Sequence, residues 1–164
     1  MNHRNTLFRF RLCLTAAALL VTLGSAHAKT LFTFGTKLEV TQIRASRDAK
    51  PGIDERLKKT SVVRRLQRKY KTRYKSYTLI KSEHLQTQMG EDNEFALDNG
   101  KTASVKVLGY KADPKIVDLK LQIDYSVALL KVKSGKHWFA VIDKGQDGHL
   151  ILVITPTLIQ IRKP

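Results

Sequence analysis

Residues 117–125 constrain the fold more than any other stretch of this chain. Val117, Leu119, Leu121, Ile123 and Tyr125 alternate with Asp118, Lys120, Gln122 and Asp124. Successive side chains on a strand point to opposite faces, so this pattern buries one face and wets the other. One wet face belongs to antiparallel sheets, because parallel sheets are covered on both sides. The chain supplies partners for such a strand. Residues 127–133, 137–142 and 149–155 read as further strands, separated by turns at Ser134 and Gly135 and at residues 144–148. Residues 150–154 are continuously apolar (Leu-Ile-Leu-Val-Ile), which places them in mid-sheet with both faces covered.

Upstream, residues 94–98 and 101–110 flank Asn99 and Gly100. Asn-Gly between two alternating runs predicts a hairpin with a type I′ turn, since both central residues accept positive φ. Residues 38–45 read as a first strand. A linker over residues 46–52 ends in Pro51 and Gly52, which is turn chemistry. A helix is expected over residues 54–70. Asp54 and Glu55 occupy its first turn, and Ile53, Leu57, Val63, Leu66 and Tyr70 form its apolar stripe. Thr60, Val62 and Val63 oppose it, because β-branched residues lose rotamers in helices. From residue 71 the period changes to two, with Lys71, Arg73 and Lys75 alternating with Thr72, Tyr74 and Ser76. That reads as a strand with one basic face. The expected fold is mainly β (α+β): an antiparallel β-sandwich or small barrel of about seven strands with one N-terminal helix.

The N-terminus sets the expected location. Arg4, Arg9 and Arg11 precede an apolar run over residues 12–23, which closes on Ala26-His27-Ala28. A basic start, a short apolar run and a small-x-small end make a secretory signal. The run is shorter than the roughly 20 residues that cross a bilayer as a helix. Cleavage after Ala28 is expected, leaving residues 29–164 as a single basic domain with no transmembrane segment, periplasmic or secreted. Cys13, the only cysteine, lies inside the signal, so this domain forms no disulfide and holds no thiolate.

The full chain carries a net charge of +16, and much of it is concentrated. Residues 53–81 hold eleven Lys or Arg against Asp54 and Glu55. Within them Arg64, Arg65, Arg68, Lys69, Lys71, Arg73 and Lys75 stand among Tyr70, Tyr74 and Tyr77. Arginine forks match phosphate and carboxylate oxygens, and tyrosines offer stacking faces. The same spacing also suits a solvated helix face with the tyrosines in the core. These seven cations are the candidate anion-binding residues, expected to act as electrostatic contacts rather than as a shaped pocket. The expected function is an exported, non-enzymatic protein of the bacterial envelope that binds an anionic envelope polymer or an envelope protein. Nucleic acid is the less favoured partner. The alternative is a structural or accessory module of an envelope or secretion assembly, bound through a sheet edge or apolar patch. A secreted hydrolase ranks third.

Other constellations give little. His84, His137 and His149 lack the i, i+4 spacing of helical metal ligands. His137 and His149 flank an expected hairpin whose loop carries Asp143 and Asp147, and they read as strand-end residues. Residues 143–148 lack the distal acid of a calcium loop. No metal or cofactor is expected. Glu91, Asp92 and Glu94 read as a counter-charge for the basic helix. No serine sits in a Gly-x-Ser-x-Gly elbow and no glycine-rich phosphate loop follows a strand, so no catalytic residue is assigned.

Residues 40–53, residues 74–80 (Tyr-Lys-Ser-Tyr-Thr-Leu-Ile), residues 95–100 (Phe-Ala-Leu-Asp-Asn-Gly) and residues 150–154 together resemble a group of uncharacterised exported bacterial proteins. The resemblance implies an extended start, a short helix and a β-rich remainder, and no catalytic residue. Ser134 and Gly135, residues 150–156 with their Thr155-Pro156 end, and Leu158-Ile159 are faintly similar to the C-terminal part of secretins. The glycine pairs usual there are missing and the chain is far shorter than a pore protein. That similarity implies periplasmic β architecture alone.

Overall fold

A computed structural model of the chain describes residues 32–70, 73–111, 115–145 and 148–162. The expected signal peptide and Lys71 lie outside the described residues. In chain order the elements are β1 (Phe32–Ser46), β2 (Gly52–Ile53), α1 (Glu55–Lys58), α2 (Ser61–Tyr70), β3 (Ser76–Thr87), β4 (Asp92–Ala96), β5 (Thr102–Lys111), β6 (Ile116–Ile123), β7 (Ser126–Lys133), β8 (Trp138–Gly145) and β9 (Gly148–Arg162).

β1 and β9 form the spine, paired antiparallel from Phe32 opposite Arg162 to Ala45 opposite His149. β3 joins the outer side of β1 and β8 the outer side of β9, while β2 adds a short parallel edge, giving the order β2-β3-β1-β9-β8. The second sheet is an antiparallel meander, β4-β5-β6-β7.

The two faces of the spine explain the layers. Leu38 and Val40 of β1, with Leu150, Leu152 and Ile154 of β9, pack against Val105, Val107, Val117, Leu119 and Leu121 of the second sheet. Ile43, Ala45, Ile151 and Val153 point the other way, onto Leu57, Val62, Val63 and Leu66 of the helical segment. The first sheet is therefore covered by the second sheet on one side and by helices on the other. This is why residues 150–154 are apolar without interruption: every one of them is buried. The fold is a mainly-β, sandwich-like α+β domain that does not close into a barrel. It has nine strands among the described residues, against about seven expected.

One buried polar side chain ties the sheets together. Gln42, on the face of β1 turned to the second sheet, is 2% exposed. Its Nε2 donates to the Ala96 carbonyl at 2.7 Å, and its Oε1 accepts from the Asp98 amide at 2.9 Å. Arg44 on the same face pairs with Asp98.

Four local expectations are corrected. The helix over residues 54–70 is two helices. Thr60 donates its amide and its hydroxyl to the Leu57 carbonyl, closing α1 before α2 begins at Ser61. The Asn99-Gly100 turn is not type I′. Only Gly100 takes a positive φ (81°), and the bonds Gly100 N to Leu97 O and Leu97 N to Lys101 O make a three-residue loop. The strand expected from residue 71 begins at Ser76, because residues 73–75 turn back through Arg73 N to Tyr70 O and Lys75 N to Ser46 O. Tyr125 is not on the buried face of β6. The strand ends at Ile123, Asp124 takes φ 49°, and Tyr125 is fully exposed in the turn.

Candidate functional site

The candidate site is built where α2 meets the start of β3. Asp54 sets the entry. Its carboxylate accepts from Arg56 N at 2.9 Å, capping α1, and from Leu79 N at 3.2 Å, tying that cap to β3. The Arg56 guanidinium grips the same carboxylate at 2.7 Å and donates to the Leu79 carbonyl at 2.8 Å. These bonds from Arg56 hold the Asp54 carboxyl well below its usual value. α2 then buries Val62, Val63, Leu66 and Tyr70 against the sheet and turns Arg64, Gln67 and Arg68 to solvent.

The turn after α2 drives Tyr74 into the core instead of along a strand. Its ring meets Tyr70 edge-on at 5.7 Å, Tyr77 at 6.2 Å and His149 at 5.1 Å. Beside this cluster lies a cavity of about 500 Å³ lined by Arg64, Gln67, Arg68, Tyr74, Lys75 and Tyr77. No carboxylate lines it, and none of its three cations is in an ion pair among the described residues. Burial raises the Tyr74 and Tyr77 phenols, so both stay neutral.

The structure thus divides the seven predicted cations. Arg64, Arg68 and Lys75 converge on a concave surface, where open electrostatic contacts were expected. Lys69 is committed elsewhere: its ammonium sits over Tyr70 and Phe139, at 5.4 and 5.8 Å, and donates to the Phe139 carbonyl. Arg65 is half-buried on the side facing His137, and Arg73 is exposed in the turn. Lys71 lies outside the described residues. Tyr70, Tyr74 and Tyr77 are at most 9% exposed and pack on one another, so they offer no stacking platform for bases.

A second constellation was not visible in the sequence. His137 Nε2 lies 2.6 Å from the Ser61 hydroxyl, and Nδ1 lies 2.7 Å from that of Thr155. Ser61 opens α2 and is exposed, while Thr155 is buried on β9. Burial, followed by the positive charge of Arg65, lowers the His137 pKa; Glu39 opposes this and Lys136 adds to it. Ser61 and His137 are 76 positions apart, and a search around serine for a glycine elbow has no signal to detect there.

The remaining candidates resolve as structure. His149 packs on Tyr74, Asp143 accepts from Asn99, and His84 is exposed on β3; Asp147 lies outside the described residues. No group of three metal-ligating side chains occurs among the described residues. The acidic cluster is not a counter-charge for the helix. Glu91 accepts from Gln88 N and from Thr87 at the end of β3, and Asp92 pairs with Lys106 of β5. β7 is an edge strand exposing Val127 and Leu129, the latter 74% exposed. No helix among the described residues is long and apolar enough to cross a membrane. No protein-family model, curated protein or solved structure matches this chain.

Proposed function

We propose that this chain is an exported protein of the bacterial envelope that binds an anionic envelope polymer at the cavity between α2 and β3. The observation that carries the reading is the convergence of Arg64, Arg68 and Lys75 on a cavity of about 500 Å³ with no acid in its lining. Guanidinium forks hold phosphate or carboxylate oxygens in pairs, and the neutral Tyr74 and Tyr77 phenols add donors for hydroxyls. A cavity of this size takes one or two sugar-sized units rather than a flat stretch of backbone. The buried tyrosines argue for a charged glycan over nucleic acid, whose single-stranded binders expose their rings.

Binding of the exported protein to lipopolysaccharide, polyphosphate and single-stranded DNA across a salt series tests this reading. Affinity for the charged glycan should fall steeply with salt, as displaced counterions predict. The variant Arg64→Gln/Arg68→Gln loses two exposed contacts worth about 1 kcal/mol each, so its affinity should drop by roughly 30-fold and its salt slope should flatten. Salt-insensitive binding that the variant retains would instead place function on an apolar surface such as the β7 edge.

A further inference from the structure

We propose that Ser61 is a nucleophile and His137 its general base, forming an acyl-transfer centre for ester substrates where α2 begins. The pair meets the first geometric requirement of nucleophilic catalysis: hydroxyl and imidazole are 2.6 Å apart, with the serine exposed. It also meets the second, since a third group orients the base. The base role uses the tautomer in which Nδ1–H donates to Thr155 Oγ1 across 2.7 Å, which leaves Nε2 as the acceptor facing the Ser61 hydroxyl. Thr155 is fixed for this role by its place in the middle of the spine, buried and opposite Glu39 of β1.

The charges around the ring support the neutral base. Arg65 from α2 and Lys136 from the preceding turn disfavour a standing imidazolium, and burial acts in the same direction. Glu39 from β1 favours the transient imidazolium that catalysis requires.

The chemistry balances with water as the only co-reactant. Ser61 Oγ bonds to the ester carbonyl carbon as its proton passes to His137 Nε2. Collapse breaks the carbon–oxygen bond to the alcohol, which leaves with that proton. Water then gives a proton to Nε2 and its oxygen to the acyl carbon. The carboxylic acid departs as Ser61 recovers its hydrogen. A hydroxyl at Nδ1 stabilises the imidazolium less than a carboxylate does, so the substrate class is activated esters, turned over slowly.

The test uses the whole protein with p-nitrophenyl acetate and a fluorophosphonate probe. Mass spectrometry of peptides should find the probe on Ser61. Ser61→Ala, a change at an exposed position, should abolish labelling and lower hydrolysis about 100-fold or more, and His137→Gln should do the same. Hydrolysis should rise with pH and reach half its maximum below 6.5, the ordinary histidine value. The proposal is overturned if folded protein, verified by circular dichroism, takes no label, or if label and rate persist in Ser61→Ala. Because p-nitrophenyl acetate is uncharged, either result is independent of anion binding at Arg64 and Arg68.

Discussion

Replacing Gln42 with methionine tests how the hairpin between β4 and β5 is held against the spine. Methionine keeps the length of the side chain and opens no large cavity, so the change isolates the two hydrogen bonds. The amide at present satisfies the Ala96 carbonyl and the Asp98 amide, at 2.7 and 2.9 Å, from a position 2% exposed. A buried backbone group left without a partner costs about 1–3 kcal/mol, and because Ala96 and Asp98 are exposed residues the lower part of that range, about 1–2 kcal/mol, applies. Two such groups cost about 2–4 kcal/mol, and burying apolar atoms in place of an amide returns about 1 kcal/mol. A net loss of about 1–3 kcal/mol is expected. The neighbouring Arg44–Asp98 ion pair is a smaller contribution. Its side chains are 38% and 27% exposed, so Asp98→Asn should cost no more than about 1 kcal/mol. Urea unfolding measures both variants. With a slope of about 2 kcal/mol/M, Gln42→Met should lower the midpoint by about 0.5–1.5 M and Asp98→Asn by at most about 0.5 M. A Gln42→Met midpoint within about 0.2 M of wild type, at unchanged slope, would refute the claim that this glutamine joins the sheets.

Three further outcomes follow from other positions. The Asp54 carboxyl titrates below its ordinary 3.8, so its contribution to stability is present above that value and is lost as pH falls below it. Urea midpoints taken from about pH 5 to about pH 2 should therefore fall less steeply in Asp54→Asn than in wild type. Gly148→Ala should destabilise by more than about 1 kcal/mol in thermal melts, because residue 148 has φ 127° and a Cβ there would lie 2.5 Å from the Ala45 carbonyl. Leu66→Ala, at a fully buried position of α2, should cost about 2–5 kcal/mol by urea unfolding and weaken anion binding in step, since the cavity rests on that helix.

Much of the fold was legible because local periodicity reports burial directly. The alternation of residues 117–123 marks β6 with one buried face, and the unbroken apolar run of residues 150–154 marks a strand covered on both sides. The apolar stripe of Leu57, Val63, Leu66 and Tyr70 marks the helical face that meets the sheet. The errors are equally instructive. Thr60 reads as one weak helical residue, yet two bonds to one carbonyl make it a helix terminus. Lys71, Arg73 and Lys75 have strand spacing, but the turn through Arg73 and Lys75 spends that length on seating Tyr74 in the core.

Of the candidate site, the residue types were legible and their arrangement was not. By itself the sequence determined that this is a basic, mainly-β chain whose positive charge gathers around one helix and the turn after it. Pattern and charge are properties of neighbours along the chain, so they survive being read in one dimension. Only the tertiary structure decided which cations share a cavity, which of them lies over aromatic rings, and that Ser61, His137 and Thr155 meet. That meeting depends on how β8 registers on β9 and where the helical segment docks. Backbone hydrogen bonds and core packing set both, and neither leaves a local signature at the three residues they bring together.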